Sequence, residues 1–194
     1  MRTAEIQRTT GETDIRVRVG LDGSGTCDAS TGVGFFDHML TLLARHALVD
    51  LEVRATGDLE TGSHHTVEDT GITLGQALDA ALGDRAGITR YGSALVPMDE
   101  CLVQAAVDVS GRPFLAFDAP LPFGVIGGFE TDLLEEFLRG LVNHARITLH
   151  VRLLAGANPH HVIECCFKAV ARALREAITA DPRVTGVPST KGSL

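Results

Sequence analysis

The spacing of apolar residues predicts alternating strands and helices in both halves of the chain. Residues 13–20 alternate between apolar and polar positions, which predicts a half-buried strand, and the Gly-Ser-Gly sequence at residues 23–25 predicts a hairpin turn after it. Residues 35–47 instead place apolar side chains at helical spacing. The same two patterns predict strands at residues 49–56, 100–109, 112–117 and 147–153, and helices at residues 67–82, 133–145 and 162–178.

Two short patterns occur twice and in the same order, which indicates an internal duplication. The pattern H-A-x-x-x-L-x-V-R spans residues 46–54 and recurs at residues 144–152. The pattern H-H-x-x-E spans residues 64–68 and recurs at residues 160–164, at nearly the same distance along the chain. One such match could arise by chance, but two in order predict a repeated structural unit.

The repeats, together with the mixed order of strands and helices, predict an α+β fold. We expect an internally duplicated unit in which sheets pack against a layer of helices as a two-layer sandwich. The residues after 180 lack periodicity and include several Gly and Pro residues, so they predict a loop-like tail. The expected parts of this single compact catalytic unit are a first half at residues 1–87, a second half at residues 88–180 and a C-terminal tail at residues 181–194.

The net charge of −8 argues against a partner that is itself a polyanion. The 17 Lys and Arg residues against 25 Asp and Glu residues give no general basic field for nucleic acid or an anionic membrane. No apolar run approaches the roughly 18 residues that span a bilayer, and residues 1–6 lack the apolar core of a signal peptide. We therefore expect a cytoplasmic protein that binds neither nucleic acid nor membrane, and in which any phosphorylated ligand meets a local basic cluster.

The four cysteines are expected to be free thiols. None of them forms a C-x-x-C pair, and small buried thiols are typical of a reducing compartment. A zinc site built from thiolates is therefore not expected.

The two H-H-x-x-E segments predict metal binding. On a helix, the first His and the Glu of each segment share a face, whereas the second His points about 100° around the axis. Each segment can therefore bridge two metal sites, or serve one metal while a neighbouring chain completes the other. Imidazole and carboxylate donors without thiolate suit Mn, Fe, Co or catalytic Zn. The alternative is that these residues only complete two helix N-termini, with His64 and Asn158 near the caps and Glu68 and Glu164 complementing the dipoles. The duplication disfavours this alternative.

Two further residues at equivalent positions are candidate ligands. His38 lies among apolar residues on the first predicted helix. Alignment of the two halves places Glu136 at the equivalent position, where an exposed helix glutamate without a ligand role is the alternative interpretation. A histidine in one repeat and a carboxylate in the other are both competent metal ligands.

Four segments of the chain together resemble the imidazoleglycerol-phosphate dehydratase family, and the resemblance extends over essentially the whole sequence. They are FDHML at residues 36–40, HHTVED at residues 64–69, NPHHVIE at residues 158–164 and PSTKG at residues 188–192. The resemblance implies a hydro-lyase of histidine biosynthesis with two manganese ions per active site. It also implies metal sites that lie between the subunits of a twenty-four-subunit homo-oligomer.

The resemblance extends to individual site residues. The metal ligands that it implies are His38, His64, His65, Glu68, Glu136, His160, His161 and Glu164. The substrate contacts that it implies are Glu12 at the hydroxyls and Arg90, Arg112, Ser189 and Lys191 at the phosphate. Two arginines, a lysine and a hydroxyl are suited to a phosphate dianion. We also expect the tail that carries Lys191 to become ordered when phosphate binds.

The implied reaction removes water from imidazole glycerol phosphate to give imidazole acetol phosphate. No carbonyl acidifies the proton that leaves the glycerol chain, so the hypothesis is that the imidazole ring supplies the electrons. A metal-stabilised imidazolate would expel the hydroxyl next to the ring and give a diazafulvene-like intermediate. Glu68 or Glu164 would then remove the neighbouring proton, and the sequence does not choose between these two bases.

Two other functions remain open at this point. The same ligands could activate water in a metal-dependent phosphohydrolase, which would release phosphate. In a metal-stapled cage without enzymatic activity, the His and Glu clusters would only join subunits. The basic residues would then have no joint role, and alanine in place of Arg112 would leave any activity unchanged.

Overall fold

The computed structural model describes residues 2–194, and its secondary structure repeats in the two halves of the chain. The strands are β1 (Thr3–Thr9), β2 (Thr13–Gly20), β3 (Cys27–Ser30), β4 (Asp50–Gly57), β5 (Tyr91–Met98), β6 (Cys101–Asp108), β7 (Phe114–Asp118), β8 (Val125–Ile126), β9 (Phe129–Glu130) and β10 (Thr148–Ala155). The α-helices are α1 (Gly34–Ala47), α2 (His64–Leu82), α3 (Leu133–Ala145) and α4 (Pro159–Ile178), and a 3-10 turn spans Leu59–Thr61.

The two halves have the same sheet topology. One four-stranded sheet has the order β1-β2-β4-β3 and the other the order β5-β6-β10-β7. In each sheet the first two neighbouring pairs are antiparallel, whereas the last pair, β4–β3 or β10–β7, is parallel. The predicted α+β fold and its internal duplication are confirmed. The short β8–β9 hairpin lies between β7 and α3 and has no counterpart between β3 and α1.

The predicted hairpin turn at residues 23–25 is wrong. The strand that follows it, β3, pairs in parallel with β4, so the chain crosses over instead of reversing beside β2. The Asp50 carboxylate at the start of β4 accepts hydrogen bonds from the backbone N–H groups of Ser24 and Thr26, both at 3.0 Å, and holds this loop against β4. A glycine-rich turn signal identifies a loop but does not determine which strand the next segment joins.

Sequence periodicity did not predict β1, β3 and β5. Alternate side chains of β1 are only half-buried and none is fully buried, so its apolar pattern is weak. Strand β5 contains Gly92 and Pro97, two residue types that are depleted in strands. Proline is tolerated there because β5 is the outer strand of its sheet.

Helices α2 and α4 begin earlier than predicted, at residues 64 and 159 instead of 67 and 162. Both His-His pairs therefore lie in the first turn of a helix. Helical side chains tilt towards the N-terminal end of the helix. The predicted tail is confirmed as a loop: after α4, the chain forms turns and one isolated bridge, between Ala180 and Ile88.

Each sheet is covered by helices on one face. In β2, Ile15, Val17 and Val19 are fully buried while the intervening side chains are exposed, as the alternation predicted. Helix α2 packs against β1, β2 and β4, and α4 packs against β5, β6 and β10. The halves meet where α2 packs on α3 and α1 on α4. Within residues 2–194, none of the helices is both long and apolar enough to cross a membrane.

Glycines allow α2 and α3 to approach closely. A Cβ atom at Gly71 would lie 2.5 Å from the carbonyl oxygen of Phe137, and one at Gly75 would lie 2.6 Å from that of Leu141. On the facing helix, a Cβ at Gly140 would lie 3.0 Å from the carbonyl oxygen of Glu68. Because these contacts are with backbone, a larger side chain cannot be accommodated by a rotamer change.

Gly75→Ala is expected to lower the free energy of unfolding by about 1–3 kcal/mol, because the added methyl group pushes α2 and α3 apart. Urea denaturation at one fixed protein concentration measures this change. Gly34→Ala is the matched control, since a Cβ there would meet nothing within 4 Å. Equal stability of the two variants would contradict the close packing of α2 on α3.

Candidate metal and phosphate sites

The starts of α2 and α4 bring the first His and the Glu of each H-H-x-x-E segment together. His64 Nε2 lies 3.4 Å from Glu68 Oε2, and His160 Nε2 lies 3.3 Å from Glu164 Oε2. The start of α4 is fixed by Asn158, whose side-chain oxygen accepts the backbone N–H of His160 at 3.0 Å, while proline follows at the first helical position. Each helix thus offers an imidazole nitrogen and a carboxylate oxygen on the same side.

The second histidine of each pair turns away from the first. The planes of the neighbouring rings lie 88° apart in both pairs. Asp58 holds His65 through Nδ1, at 3.1 Å and 3.0 Å from its two carboxylate oxygens. Glu100 holds His161 in the same way, with Nδ1 2.9 Å from Oε2. In both rings Nε2 is the nitrogen left for a ligand, as in metal-binding histidines oriented by a carboxylate.

These contacts shift the pKa values of both partners. The hydrogen bond that His65 donates to Asp58 raises the pKa of His65, and the hydrogen bond that His161 donates to Glu100 raises the pKa of His161. The His161 ring, together with backbone hydrogen bonds, lowers the pKa of Glu100 to about 2. Both carboxylates are therefore ionised acceptors at neutral pH, which fixes the proton of each ring on Nδ1 when the imidazole is neutral.

His38 joins the group on α4. Its Nε2 lies 3.8 Å from Glu164 Oε2, the same oxygen that faces His160. The other oxygen of Glu164 pairs with Lys168 Nζ at 2.8 Å. Burial alone raises the pKa of Glu164, but the hydrogen bond and charge of Lys168, with His38 and His160, outweigh burial and lower it. We define the α4 group as His38, His160, His161 and Glu164.

The corresponding group on α2 is more open. We define it as His64, His65 and Glu68. The Glu68 side chain is 40% exposed, against 14% for Glu164. Glu136, the counterpart of His38, lies on α3 and pairs with Arg139 at 3.6 Å, so the structure does not bring it into an ion pair with this group. Glu12, in the turn between β1 and β2, lies with Oε1 3.7 Å from His65 Nε2.

Neither group is a complete metal site by itself. Among residues 2–194, no set of three or more His, Cys, Asp or Glu side chains has an arrangement that could hold a metal ion. The predicted ligands therefore form two partial sets on the starts of α2 and α4.

The predicted phosphate contacts come together in one cavity. Arg90, Arg112, Ser189 and Lys191 all line a cavity of about 580 Å³ between β5, the β6–β7 turn and the tail. The Arg90 guanidinium is fixed by Asp108, with Nε 2.8 Å from Oδ1, and donates from Nη1 to the carbonyl oxygen of Pro188 at 2.8 Å. Arg112 is 67% exposed and 4.0 Å from Asp108, so its charge remains available.

Sequence reasoning missed three residues next to these groups. Lys168 is four residues after Glu164, a helical spacing that could have indicated the ion pair. Asp58 and Glu100 were not found because Asp58 reaches His65 from the end of β4 rather than from the same helix, and Glu100 reaches His161 from the turn between β5 and β6, 61 residues earlier. Their side-chain directions depend on the sheet register, which the sequence pattern does not specify.

Comparisons with known proteins place this arrangement in one family. Residues 31–174 match the family model described as imidazoleglycerol-phosphate dehydratase. Proteins of that name are 62% identical in Moorella thermoacetica, covering 100% of this chain and 98% of the relative, and 59% identical in Dinoroseobacter shibae, covering 100% of both.

Solved structures of the same family share the fold. The crystal structure of the Staphylococcus aureus imidazoleglycerol-phosphate dehydratase has a TM-score of 0.84 at 42% identity, over 92% of this chain and 99% of that chain. The structure of IGPD from Pyrococcus furiosus in complex with (S)-C348 also has a TM-score of 0.84, at 41% identity, over 97% of this chain and 100% of that chain.

Proposed function

Because this chain belongs to the imidazoleglycerol-phosphate dehydratase family, we propose that it dehydrates imidazole glycerol phosphate to imidazole acetol phosphate using two manganese ions per active site. Membership of this family makes the protein a hydro-lyase of histidine biosynthesis. The main support for the proposed metal-dependent mechanism is the pairing of an imidazole nitrogen with a carboxylate oxygen at the starts of both α2 and α4.

The donor set suits manganese. The ligands are imidazole nitrogens and carboxylate oxygens, and Nδ1 of both His65 and His161 is already held by a carboxylate, which directs Nε2 outward. The proposed ligands are His38, His64, His65, Glu68, Glu136, His160, His161 and Glu164. When bound at a ring nitrogen of the substrate, a divalent cation favours the deprotonated imidazole, which is the electron-rich form that the reaction needs.

We propose that the phosphate of the substrate binds in the cavity lined by Arg90, Arg112, Ser189 and Lys191. Guanidinium groups donate two parallel hydrogen bonds to a phosphate dianion, and the lysine adds a further charge. A local cluster of this kind is required because the chain as a whole carries a net charge of −8. Binding the phosphate at one end orients the imidazole and the glycerol chain for reaction at the other.

Glu164 is the better placed of the two candidate bases. Its side chain is 14% exposed, whereas that of Glu68 is 40% exposed, so water competes less for its oxygens. Lys168 keeps one oxygen hydrogen-bonded at 2.8 Å and leaves the other facing His38 and His160. An oriented carboxylate of this kind can accept the carbon-bound proton of the substrate.

The proposed sequence of steps balances as the loss of water. The ring gives up its N–H proton and then expels the adjacent hydroxyl, which takes up a proton and leaves as water, so the substrate becomes a neutral diazafulvene-like intermediate. Glu164 then takes the proton from the neighbouring chain carbon, the ring nitrogen takes up a proton in return, and the resulting enol tautomerises to the ketone. Glu12, beside His65, is proposed to bind a hydroxyl of the chain.

The partial ligand sets support an assembly in which subunits complete one another's sites. Since one chain supplies no complete set within residues 2–194, donors from α2 of one copy and α4 of another are proposed to share the metals. The proposed state is a homo-oligomer of twenty-four subunits. Metal binding would then stabilise the assembly by mass action, because the ions bind the assembled form more tightly than separate chains.

Product analysis tests the proposed reaction. The manganese-loaded protein is incubated with imidazole glycerol phosphate, and ketone is measured by NMR while inorganic phosphate is measured in the same samples. Ketone formation without free phosphate is the expected result. Release of phosphate would instead identify a metal-dependent phosphohydrolase. If the metal-loaded protein forms neither product, the His and Glu clusters would serve only to join subunits.

A further inference from the structure

The second histidine of each pair is held by a carboxylate that comes from a different element in the two halves. In the first half, Asp58 directly follows β4 and contacts Nδ1 of His65 with both oxygens. In the second half, Glu100 lies in the turn between β5 and β6 and contacts Nδ1 of His161. The same contact is therefore made twice, by residues that are not equivalent in the duplicated fold.

The duplicated topology explains why different residues make this contact in the two halves. The position after β10 that corresponds to Asp58 is Gly156, where φ is 128° and a Cβ atom would lie 2.4 Å from Cys101 Sγ. No side chain can reach His161 from there. Glu12 and Glu100 are equivalent, since each directly precedes the second strand of its hairpin, yet Glu12 faces Nε2 of His65 rather than Nδ1.

We propose that Glu100 is a positioning residue, which fixes the His161 ring so that its Nε2 faces a metal ion. In the first half Asp58 orients the His65 ring in the same way, so Glu12, the equivalent of Glu100, is left free to contact substrate. The inference rests on the proposed metal-binding function. It assigns different roles to two glutamates at matching positions of the repeat.

Glu100 is suited to this role because its carboxylate contacts two groups at the start of α4. Its Oε2 lies 2.9 Å from His161 Nδ1, while its Oε1 accepts the backbone N–H of Asn158 at 3.2 Å. Asn158 in turn caps α4. The carboxylate therefore sets the ring orientation relative to the helix, and it makes the unprotonated Nε2 a stronger donor to a cation.

The test measures Mn²⁺ affinity in a double-mutant cycle on the full-length protein, using the EPR signal of free Mn²⁺. Glu100→Ala is expected to weaken binding at the affected sites by about 10- to 100-fold. In the His161→Ala background, the same substitution is expected to change affinity by about twofold or less, because the ring through which it acts is absent. Glu100→Gln retains an acceptor and is expected to lie between Glu100→Ala and the unsubstituted protein.

Asp118→Asn is the matched control, since Asp118 is a 64% exposed carboxylate at the end of β7 whose ion-pair partner is Arg152. It should leave Mn²⁺ affinity unchanged. Equal loss of affinity from Glu100→Ala in both backgrounds would show a general structural effect and overturn the assignment. Unchanged affinity in Glu100→Ala overturns it as well, while the metal function stands. Failure of the unsubstituted protein to bind Mn²⁺ would overturn both.

Discussion

Glu164→Gln is expected to lower kcat by about 10²- to 10⁴-fold, the range that a positioned general base contributes. Glutamine has the shape of glutamate and can still accept a hydrogen bond from Lys168, which lies 2.8 Å from Oε1. It cannot take a proton from carbon. Because Glu164 is also a proposed ligand, kcat is measured at saturating Mn²⁺ and the bound metal is quantified in the same samples.

Glu68→Gln is the matched comparison, because Glu68 occupies the equivalent position on α2 and faces His64 at 3.4 Å. Its expected effect on kcat at saturating Mn²⁺ is smaller than that of Glu164→Gln. Near-normal turnover of both variants with metal bound would show that neither glutamate is the base. A large loss confined to Glu68→Gln would move the base to α2.

Arg112→Ala is expected to raise KM for imidazole glycerol phosphate by about 10- to 100-fold, the loss expected for a charge-assisted hydrogen bond to phosphate. The guanidinium lines the cavity in which we propose that phosphate binds, and its nearest carboxylate, Asp108, is 4.0 Å away and already paired with Arg90. The effect on kcat should be smaller, because the reacting atoms lie at the other end of the substrate. Steady-state kinetics with varied substrate separates KM from kcat.

Arg183→Ala provides the control for removal of one positive charge. Arg183 lies in the C-terminal tail that also carries Lys191, is 88% exposed and pairs with Asp181 at 2.8 Å. Its KM should equal that of the unsubstituted protein, and Arg112→Lys should recover part of the affinity that alanine loses. The same modest KM change in Arg112→Ala and Arg183→Ala would mean that only long-range charge matters and that the cavity does not bind phosphate.

Hydrophobic periodicity predicted the elements that bury a continuous face. Helix α1 and strand β2 follow their patterns closely, because Phe36, Met39 and Ile15 are all fully buried. The pattern was weak in β1, where burial is incomplete. It did not indicate the parallel pairing of β3 with β4, next to which Asp50 accepts hydrogen bonds from the preceding loop. Local periodicity reports on which side chains are buried, whereas strand order depends on contacts between distant segments.

The sequence predicted those contacts of the site residues that lie within a single helix. Spacing along one helix is sufficient to place His160 beside Glu164, and the structure has them 3.3 Å apart. The role of Glu100 depends on a contact between α4 and the β5–β6 hairpin, which lies 61 residues before His161, and its counterpart Glu12 makes a different contact. The donors that we propose to lie on another copy of the chain cannot be positioned from a pattern in a single sequence.

Metal content and native mass, determined before and after chelation with turnover of imidazole glycerol phosphate on the same samples, test the central claim most directly. The account predicts that chelation removes manganese, abolishes turnover and lowers the native mass, and that added Mn²⁺ restores all three. A purified protein that is fully active without bound metal would contradict it.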